Sequence, residues 1–328
     1  MAQTVVIGAG PAGLMAAEQL ARAGHDVLVA EAKPSVARKF LMAGKSGLNL
    51  TRLTPDTPAQ DGFLRAYGPA ADDLRPMITA LPPQAIRTWA EALGQPCFTG
   101  STGRLFPKAM KASPLLRAWL ARLHGQGVQI HTRWRWLGWD GITCQFDTPE
   151  GPKTIAPGVT VLALGGASWA RLGSDGLWAD TLRATGIVPT PFAPANAGLS
   201  VPWSDHMIRH FGAPLKSVRL TAGHLTSRGE IVVSTRGLEG GGLYPLTPAL
   251  RDGARLCMDL RPDLNVADLA ARLAKGGTRA SLSNRLRRVG LGPAAIALAQ
   301  ECHHPLPRDA EALAQQIKAL HLPHATLR

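Results

Sequence analysis

The chain has 328 residues, a formal net charge of +13 and four cysteines. This length suggests about two domains with a large core. No apolar stretch has the length of a membrane span, and the cysteines lie far apart without the spacing of metal ligands. We therefore expect a cytoplasmic protein in a reducing compartment, without a structural zinc or a disulfide framework and with no membrane partner.

The positive charge allows two interpretations. One is binding to a nucleic acid or another anionic surface. The other is a solvated, arginine-rich surface, which we favour because the basic residues are spread along the chain and their densest cluster, Arg285–Arg288, is typical of one helix face.

A glycine-rich sequence directly follows the first apolar run, Thr4–Ile7. It reads Gly8-Ala9-Gly10-Pro11-Ala12-Gly13 and opens a predicted helix that ends near Ala23. In a dinucleotide-binding turn, the first glycine permits the sharp bend and the second lets the backbone approach a pyrophosphate. The third lets the helix pack closely on the sheet.

Glu31 ends the second predicted strand, Val27–Ala30, and lies eighteen residues after Gly13. A carboxylate there accepts hydrogen bonds from ribose hydroxyls and repels a 2′-phosphate. Strand, turn, helix, strand and acid together fit one βαβ unit. The sequence therefore predicts a dinucleotide site that does not hold NADP, and the alternative is a glycine-rich turn that binds nothing.

The loop after Glu31 is dense in lysine, arginine, glycine, serine and asparagine. We interpret it as a clamp over the cofactor, with Arg38 or Lys39 on the pyrophosphate and the segment from Gly44 to Asn49 close to the reactive ring. An ordinary surface loop is the alternative.

Apolar spacing near 3.6 residues predicts a mainly helical region over residues 61–125. The predicted helices are Phe63–Tyr67, Ala70–Ala80, Pro83–Leu93 and Ser113–His124, and Gly100–Pro107 is expected to be a turn-rich link between two of them.

Three tryptophans, Trp134, Trp136 and Trp139, follow the start of a predicted strand at Gly127. Asp140-Gly141 then predicts a β-hairpin. The alternation of Trp134 and Trp136 favours one packed strand face over a base-stacking surface, although Trp136 is also kept as a candidate cofactor-binding residue.

A second glycine pair, Gly165-Gly166, ends a predicted buried strand over Val159–Leu164. The turn residues Gly173–Gly176 and a predicted helix over Leu177–Thr185 follow it. Because this order repeats the logic of the opening motif, it predicts a second contact with the same dinucleotide. A plain strand-to-helix turn is the alternative.

The composition changes at the proline-rich segment Thr190–Pro194, where we place a domain boundary. Short strands are predicted over residues 197–260, and helices with glycine breaks over residues 266–319. The predicted strands are Gly198–Val201, Ser217–Ala222, Gly229–Thr235 and Arg255–Leu260.

Four stretches of the chain carry a resemblance to a known family. The chain resembles the BaiN/RdsA-like (aminoacetone-oxidase-like) NAD(P)/FAD-dependent flavoproteins, and within them an uncharacterised bacterial subgroup. The stretches are Gly8–Gly13 with Glu31, Arg38–Thr51, Leu162–Gly176 and Gly229–Tyr244.

The resemblance implies FAD as cofactor and an α/β fold of the two-dinucleotide-binding-fold type. It places a Rossmann-like FAD-binding domain at residues 1–190, including the helical region, and an inserted β-plus-helical domain at residues 191–320. The family's return to the FAD domain would begin at residues 321–328, so the chain is expected to be a C-terminally truncated copy. Family members usually carry an Arg-Cys-Asn run in the clamp loop, whereas this chain has Gly47-Leu48-Asn49, so only the asparagine carries over.

We therefore expect an FAD-binding oxidoreductase that transfers a hydride through flavin N5, with NAD(P)H or a small organic substrate as partner. No catalytic side chain stands out, because a flavin itself does the chemistry. The alternatives are an RNA-acting flavoprotein, a non-catalytic remnant of the family, and an NAD-dependent dehydrogenase with one Rossmann unit.

Overall fold

The computed structural model describes residues 3–42, 47–53, 60–100, 103–275 and 280–328. The chain divides into two compact units, Met1–Phe192 and Ala193–Arg328. Among the described residues, every helix is too short or too polar to cross a membrane.

The first unit contains both helices and strands. Its helices are α1 (Pro11–Arg22), α2 (Gln60–Leu64), α3 (Ala71–Ala80), α4 (Pro83–Ala92), α5 (Ala112–Gly125) and α6 (Trp178–Ala184). Its strands are β1 (Thr4–Ile7), β2 (Val27–Glu31), β3 (Thr51–Arg52), β4 (Cys97–Thr99), β5 (Arg104–Pro107), β6 (Gln129–Thr132), β7 (Arg135–Asp140), β8 (Thr143–Thr148), β9 (Gly151–Ile155) and β10 (Val159–Leu162).

A parallel sheet with strand order β10-β1-β2-β6 forms the centre of this unit. Val5, Val6 and Val29 are fully buried in it, as expected for strands covered on both faces. The α/β, Rossmann-like fold class is therefore confirmed.

Strand β10 differs from the prediction of a buried strand. It pairs with β1 on one side only and is an edge of the sheet as described. Val159 and Leu162 are consequently 54% and 37% exposed. An apolar run of this length does not tell an edge strand from a central one, because both carry the same side chains.

A buried carboxylate joins three helices of this unit. Glu18 on α1 is 1% exposed and accepts hydrogen bonds from the indole nitrogens of Trp89 (3.1 Å) and Trp119 (2.7 Å). It also pairs with Arg122 at 3.0 Å. Because a buried charge is tolerated only when it is paired and hydrogen-bonded, this cluster fixes α4 and α5 to the glycine-turn helix.

The helical region contains a sheet that was not predicted. Residues 104–107 are not a turn-rich link, because Arg104–Pro107 forms β5 between β3 and β4. Leu105 is fully buried and Phe106 stacks on Phe98 at 5.7 Å, so cross-strand packing overrides the turn composition. Likewise, the helix predicted over Phe63–Tyr67 continues past Leu64 only as a 3₁₀ turn.

Strands β7, β8 and β9 form a separate antiparallel sheet. Trp136 is 9% exposed, whereas its neighbours Arg135 and Leu137 lie in solvent. The predicted packed tryptophan face is therefore confirmed. Strand β9 was not predicted.

The second unit combines an antiparallel sheet with helices. Its helices are α7 (Thr247–Arg251), α8 (Val266–Ala274), α9 (Leu282–Arg288), α10 (Pro293–Cys302) and α11 (Ala310–Lys318). Its strands are β11 (Leu199–Ser200), β12 (Pro214–Ala222), β13 (Leu225–Ser234), β14 (Gly237–Glu239), β15 (Leu256–Asp259) and β16 (Thr326–Leu327), in the order β15-β12-β13-β14-β11-β16.

The unit boundaries differ slightly from the expected ones. Residues 191 and 192 fall in the first unit, where the Phe192 ring packs on Trp178 at 5.4 Å. Residues 321–328 fall in the second unit: Leu322 is buried in its core, and Thr326–Leu327 pairs with Leu199–Ser200.

All four cysteines are free thiols, and the described residues contain no cluster of His, Cys, Asp and Glu that could hold a metal. Burial, followed by the neighbouring Glu301, raises the pKa of the Cys302 thiol to about 12. This thiol is therefore protonated at neutral pH and a poor nucleophile.

We predict that Glu18→Ala destabilises the first unit by about 3–5 kcal/mol, because Arg122 and both indole N–H groups lose their buried acceptor. The measurement is urea unfolding followed by tryptophan fluorescence, which reports on this unit because all tryptophans except Trp203 lie in it.

The matched control is Glu150→Ala. Glu150 also pairs with a cation, Lys153, but both side chains are exposed, so the free energy of unfolding is expected to change little. Equal effects of the two substitutions would show that the Glu18 cluster does not hold the helices together.

Candidate functional site

The glycine turn lies where the backbones of β1, α1 and the end of β10 approach one another. A Cβ on Gly13 would lie 1.8 Å from the carbonyl oxygen of Gly8, and a Cβ on Gly8 would lie 2.4 Å from that of Ala163. Gly8 also has φ +105°. Both glycines are therefore required by packing alone.

Gly10, unlike Gly8 and Gly13, is not packed against protein atoms. A Cβ on Gly10 would meet no atom within 4 Å, so its Cα faces open space rather than protein. Gly10 also caps α1 without a side-chain hydrogen bond, and the first turn of this helix carries no acid. A helix amino end of this kind is suited to an anion.

A cavity of about 870 Å³ adjoins this helix end. It is lined by most of the residues that the sequence singles out, which come from the glycine turn, the end of β2, the following loop, β7 and the end of β10. These are Gly8, Gly10, Pro11, Ala12, Glu31, Arg38, Lys39, Trp136 and Gly165.

Glu31 connects the glycine turn to the chain beyond β2. One carboxylate oxygen accepts the N–H of Ala9 at 3.0 Å, and the other accepts the N–H of Lys33 at 2.8 Å. Because an ionised carboxylate has about four acceptor positions, each oxygen keeps capacity for another donor. Glu31 therefore fixes the turn and remains able to bind a hydroxyl.

Two basic residues of the loop reach the cavity. Arg38 donates to the hydroxyl of Ser35 at 3.2 Å, while its buried Nε has no acceptor among the described residues. Lys39 donates to the hydroxyls of Ser168 (3.0 Å) and Ser174 (3.2 Å), and thereby joins this loop to the segment after β10.

Aromatic side chains form another part of the wall. Trp134 stacks on His131 with ring centres 4.4 Å apart. The indole nitrogen of Trp136 is buried and has no acceptor in the described part of the chain. The indole N–H of Trp178 donates to the carbonyl of Gly165 at 3.1 Å.

The second glycine pair is bonded to Ser174. Gly165 lines the cavity and has φ +74°. Gly166 is not among the lining residues, but its carbonyl accepts the hydroxyl of Ser174 at 2.7 Å. Ser174 itself is 3% exposed.

Charged residues around the cavity are mainly positive. The cations are Lys33, Arg38, Lys39 and Arg135, and the acids are Glu31 and Asp175. Because four cations and two acids give the lining a net charge of about +2, it complements a ligand with about two negative charges.

Two further expected site residues, Gly13 and Asn49, do not line the cavity. Gly13 lies behind the turn and contacts protein backbone rather than the cavity. Asn49 is exposed and is not among the residues that line the cavity. Gly44 lies outside the described residues.

Sequence reasoning missed Lys33, Arg135, Ser174 and Trp178 as lining residues. The segment Gly173–Gly176 was recognised only as a turn. Lys33 comes two residues after the end of β2, and Arg135 comes three residues after the end of β6. Ligands of open α/β sheets bind beyond such strand ends, and this placement could have identified both residues.

Known proteins are similar to this chain in sequence and in fold. A curated relative, the 3-dehydro-bile acid delta(4,6)-reductase of Clostridium scindens, is 29% identical over 203 residues, which are 60% of this chain and 47% of the relative. The chain thus spans about half the length of that relative.

A solved structure, the 3-ketosteroid-delta4-(5alpha)-dehydrogenase of Rhodococcus jostii RHA1 in complex with 4-androstene-3,17-dione, matches with a TM-score of 0.51 and 16% identity. The matched region covers 99% of this chain and 84% of the dehydrogenase chain. At this identity the match supports the fold alone.

The glycine turn, the parallel sheet and the cavity at their junction agree with a family comparison that covers most of the chain. The model of the HI0933-like protein Rossmann domain matches residues 2–282, and the chain belongs to this family.

Proposed function

We propose that this protein is an FAD-dependent oxidoreductase whose first unit, residues 1–192, holds the adenosine diphosphate part of the cofactor. One observation carries the proposal: a glycine turn at a helix amino end, a carboxylate at the end of β2 and four cations line a single cavity. Dinucleotide binding needs this combination of donors, acceptor and positive charge.

The residues present fit such a group. Gly10 leaves open the space that a Cβ would fill, as a closely approaching pyrophosphate requires. Arg38 and Trp136 each carry a buried donor without an acceptor among the described residues. Buried donors are normally satisfied, so a ligand with acceptor atoms would complete this wall.

Each group has a distinct part in binding. The amino end of α1, Arg38 and Lys39 would hold the diphosphate, Glu31 would accept the ribose hydroxyls, and Trp134 would provide an apolar surface for the base. Bound FAD would supply hydride transfer to or from a partner, which we propose to be NAD(P)H or a small organic molecule. The chain's own residues bind and orient the cofactor.

We predict that the purified protein binds FAD. Titration with FAD should quench tryptophan fluorescence, because Trp134, Trp136 and Trp178 line the cavity, and equilibrium dialysis should retain the flavin. Turnover would then be tested in two steps. NADH should reduce the bound flavin, and a panel of organic electron acceptors that includes ring ketones should reoxidise it. A protein that retains no FAD under these conditions would contradict the proposal.

Two glycine substitutions separate binding from folding. Gly10→Ala should fold normally, because the methyl group meets no protein atom and Gly10 has φ −76°, yet it should weaken FAD binding by obstructing the phosphate. Gly13→Ala should destabilise the first unit by about 3 kcal/mol through its overlap with Gly8.

Thermal unfolding measures the stability of both glycine variants, and FAD titration measures their affinity for the cofactor. A Gly10→Ala protein with wild-type affinity for FAD would place the diphosphate away from this turn.

Glu31 should make the site discriminate against a ribose that carries a 2′-phosphate. ADP should displace FAD, whereas 2′,5′-ADP should displace it poorly, because Glu31 repels a 2′-phosphate. Glu31→Gln removes the charge and should narrow the difference between the two competitors. Equal competition by both nucleotides against the wild-type protein would show that Glu31 does not face the ribose.

A further inference from the structure

A chain of hydrogen bonds joins the loop after β2 to the second glycine pair. The ammonium of Lys39 donates to the hydroxyl of Ser174 at 3.2 Å, and this hydroxyl donates to the carbonyl of Gly166 at 2.7 Å. A second bond from Lys39, to Ser168 at 3.0 Å, leads to no further partner among the described residues.

The direction of this chain is fixed by the groups themselves. A carbonyl only accepts, so Ser174 must donate its single proton to Gly166. Lys39 has only donors, so Ser174 must accept from it. Because Ser174 is 3% exposed, water does not replace Lys39 easily, and the hydroxyl is satisfied at both ends only when the ammonium is in place.

The same contacts orient the glycine pair. The carbonyl of Gly165 is held by Trp178 at 3.1 Å and that of Gly166 by Ser174. Both donors belong to residues that line the cavity, so the glycine pair is tied to the cavity wall through its carbonyl groups.

Lys39 also has bonding capacity left. Two of its three N–H donors contact hydroxyls, and no carboxylate lies within ion-pair distance of it in the described residues. Its positive charge is thus uncompensated at the wall of a cavity that has a net positive lining.

We infer that Ser174 is a positioning residue for a second diphosphate contact. It couples the Lys39 ammonium to the Gly165–Gly166 turn, so that the positive charge is held at the cavity wall, where it acts on an anion. The ligand class is a nucleoside diphosphate or a dinucleotide. The inference rests on the proposed function only in placing a diphosphate in this cavity.

Calorimetric titration of the full-length protein with ADP and with adenosine tests the inference. Ser174→Ala should lower the affinity for ADP about tenfold, the usual effect of losing a hydrogen bond to a charged group, and change that for adenosine less than about twofold. A general loosening of the fold would instead weaken both ligands equally, and that result would overturn the inference.

Two further substitutions, at Ser168 and at Lys39, test the chain of hydrogen bonds. Ser168→Ala removes the other hydroxyl that accepts from Lys39 and leaves the bond to Gly166 intact. It should lower the affinity for ADP less than about twofold. Lys39→Met should abolish the effect of Ser174→Ala, because the two act through one chain of bonds. Additive effects of the two substitutions would contradict the coupling.

If Ser174→Ala does not fold, Ser174→Cys preserves the size with a weaker donor, and its ADP affinity should fall between those of Ser174→Ala and the wild type. Wild-type affinity in Ser174→Cys would overturn the inference.

The two proposals can fail separately. A protein that binds ADP through Ser174 but retains no FAD would contradict the proposed function and support the positioning role. A protein that binds FAD and ADP without dependence on Ser174 would support the proposed function and contradict the positioning role.

Discussion

The structure of the first unit depends on one close approach of three backbone segments. Gly8 at the end of β1, Gly13 in the first turn of α1 and Ala163 after β10 meet at distances that exclude any side chain on the two glycines. This contact sets the direction in which α1 leaves the sheet. The free amino end of the helix and the start of the second glycine segment consequently lie beside the same cavity.

Two carboxylates then fix this arrangement, and their different surroundings explain their different roles. Glu18 is surrounded by three donors from α4 and α5 and is almost completely buried, so it has no access to a ligand. Glu31 has one backbone donor on each oxygen and lies at the cavity wall. Residue type is the same at both positions, but only the second keeps acceptor capacity toward a ligand.

The sequence predicted the elements that local patterns specify. The glycine spacing and the apolar runs located β1, α1 and β2 to within a residue or two, because a βαβ unit imposes turn chemistry and burial together. It did not predict β5, where pairing with β3 and β4 overrides a turn-like composition, or the edge position of β10. Both depend on partners that are distant in sequence.

The same distinction holds in the candidate site. Gly10 and Glu31 could be identified from motif spacing, and Arg38 and Lys39 from the polar loop that follows. The role of Ser174 could not, since it lies 135 positions from Lys39, and nothing in a turn composed of glycine, serine and aspartate distinguishes a buried hydroxyl from an exposed one. Asn49 was selected from the same polar loop and from the resemblance, and the structure leaves it exposed and apart from the cavity lining.

The charged groups of the cavity also indicate which kind of chemistry this wall performs. Glu31 is bonded to backbone N–H groups, Asp175 to the N–H of Leu177, and Lys39 to serine hydroxyls. Groups bonded in this way have fixed positions, which suits binding, whereas acid–base catalysis needs a group that exchanges a proton with the substrate. Among the described lining residues, charge and shape therefore serve to hold and orient an anionic ligand. The reactive atoms would belong to that ligand and its partner rather than to a side chain of this wall.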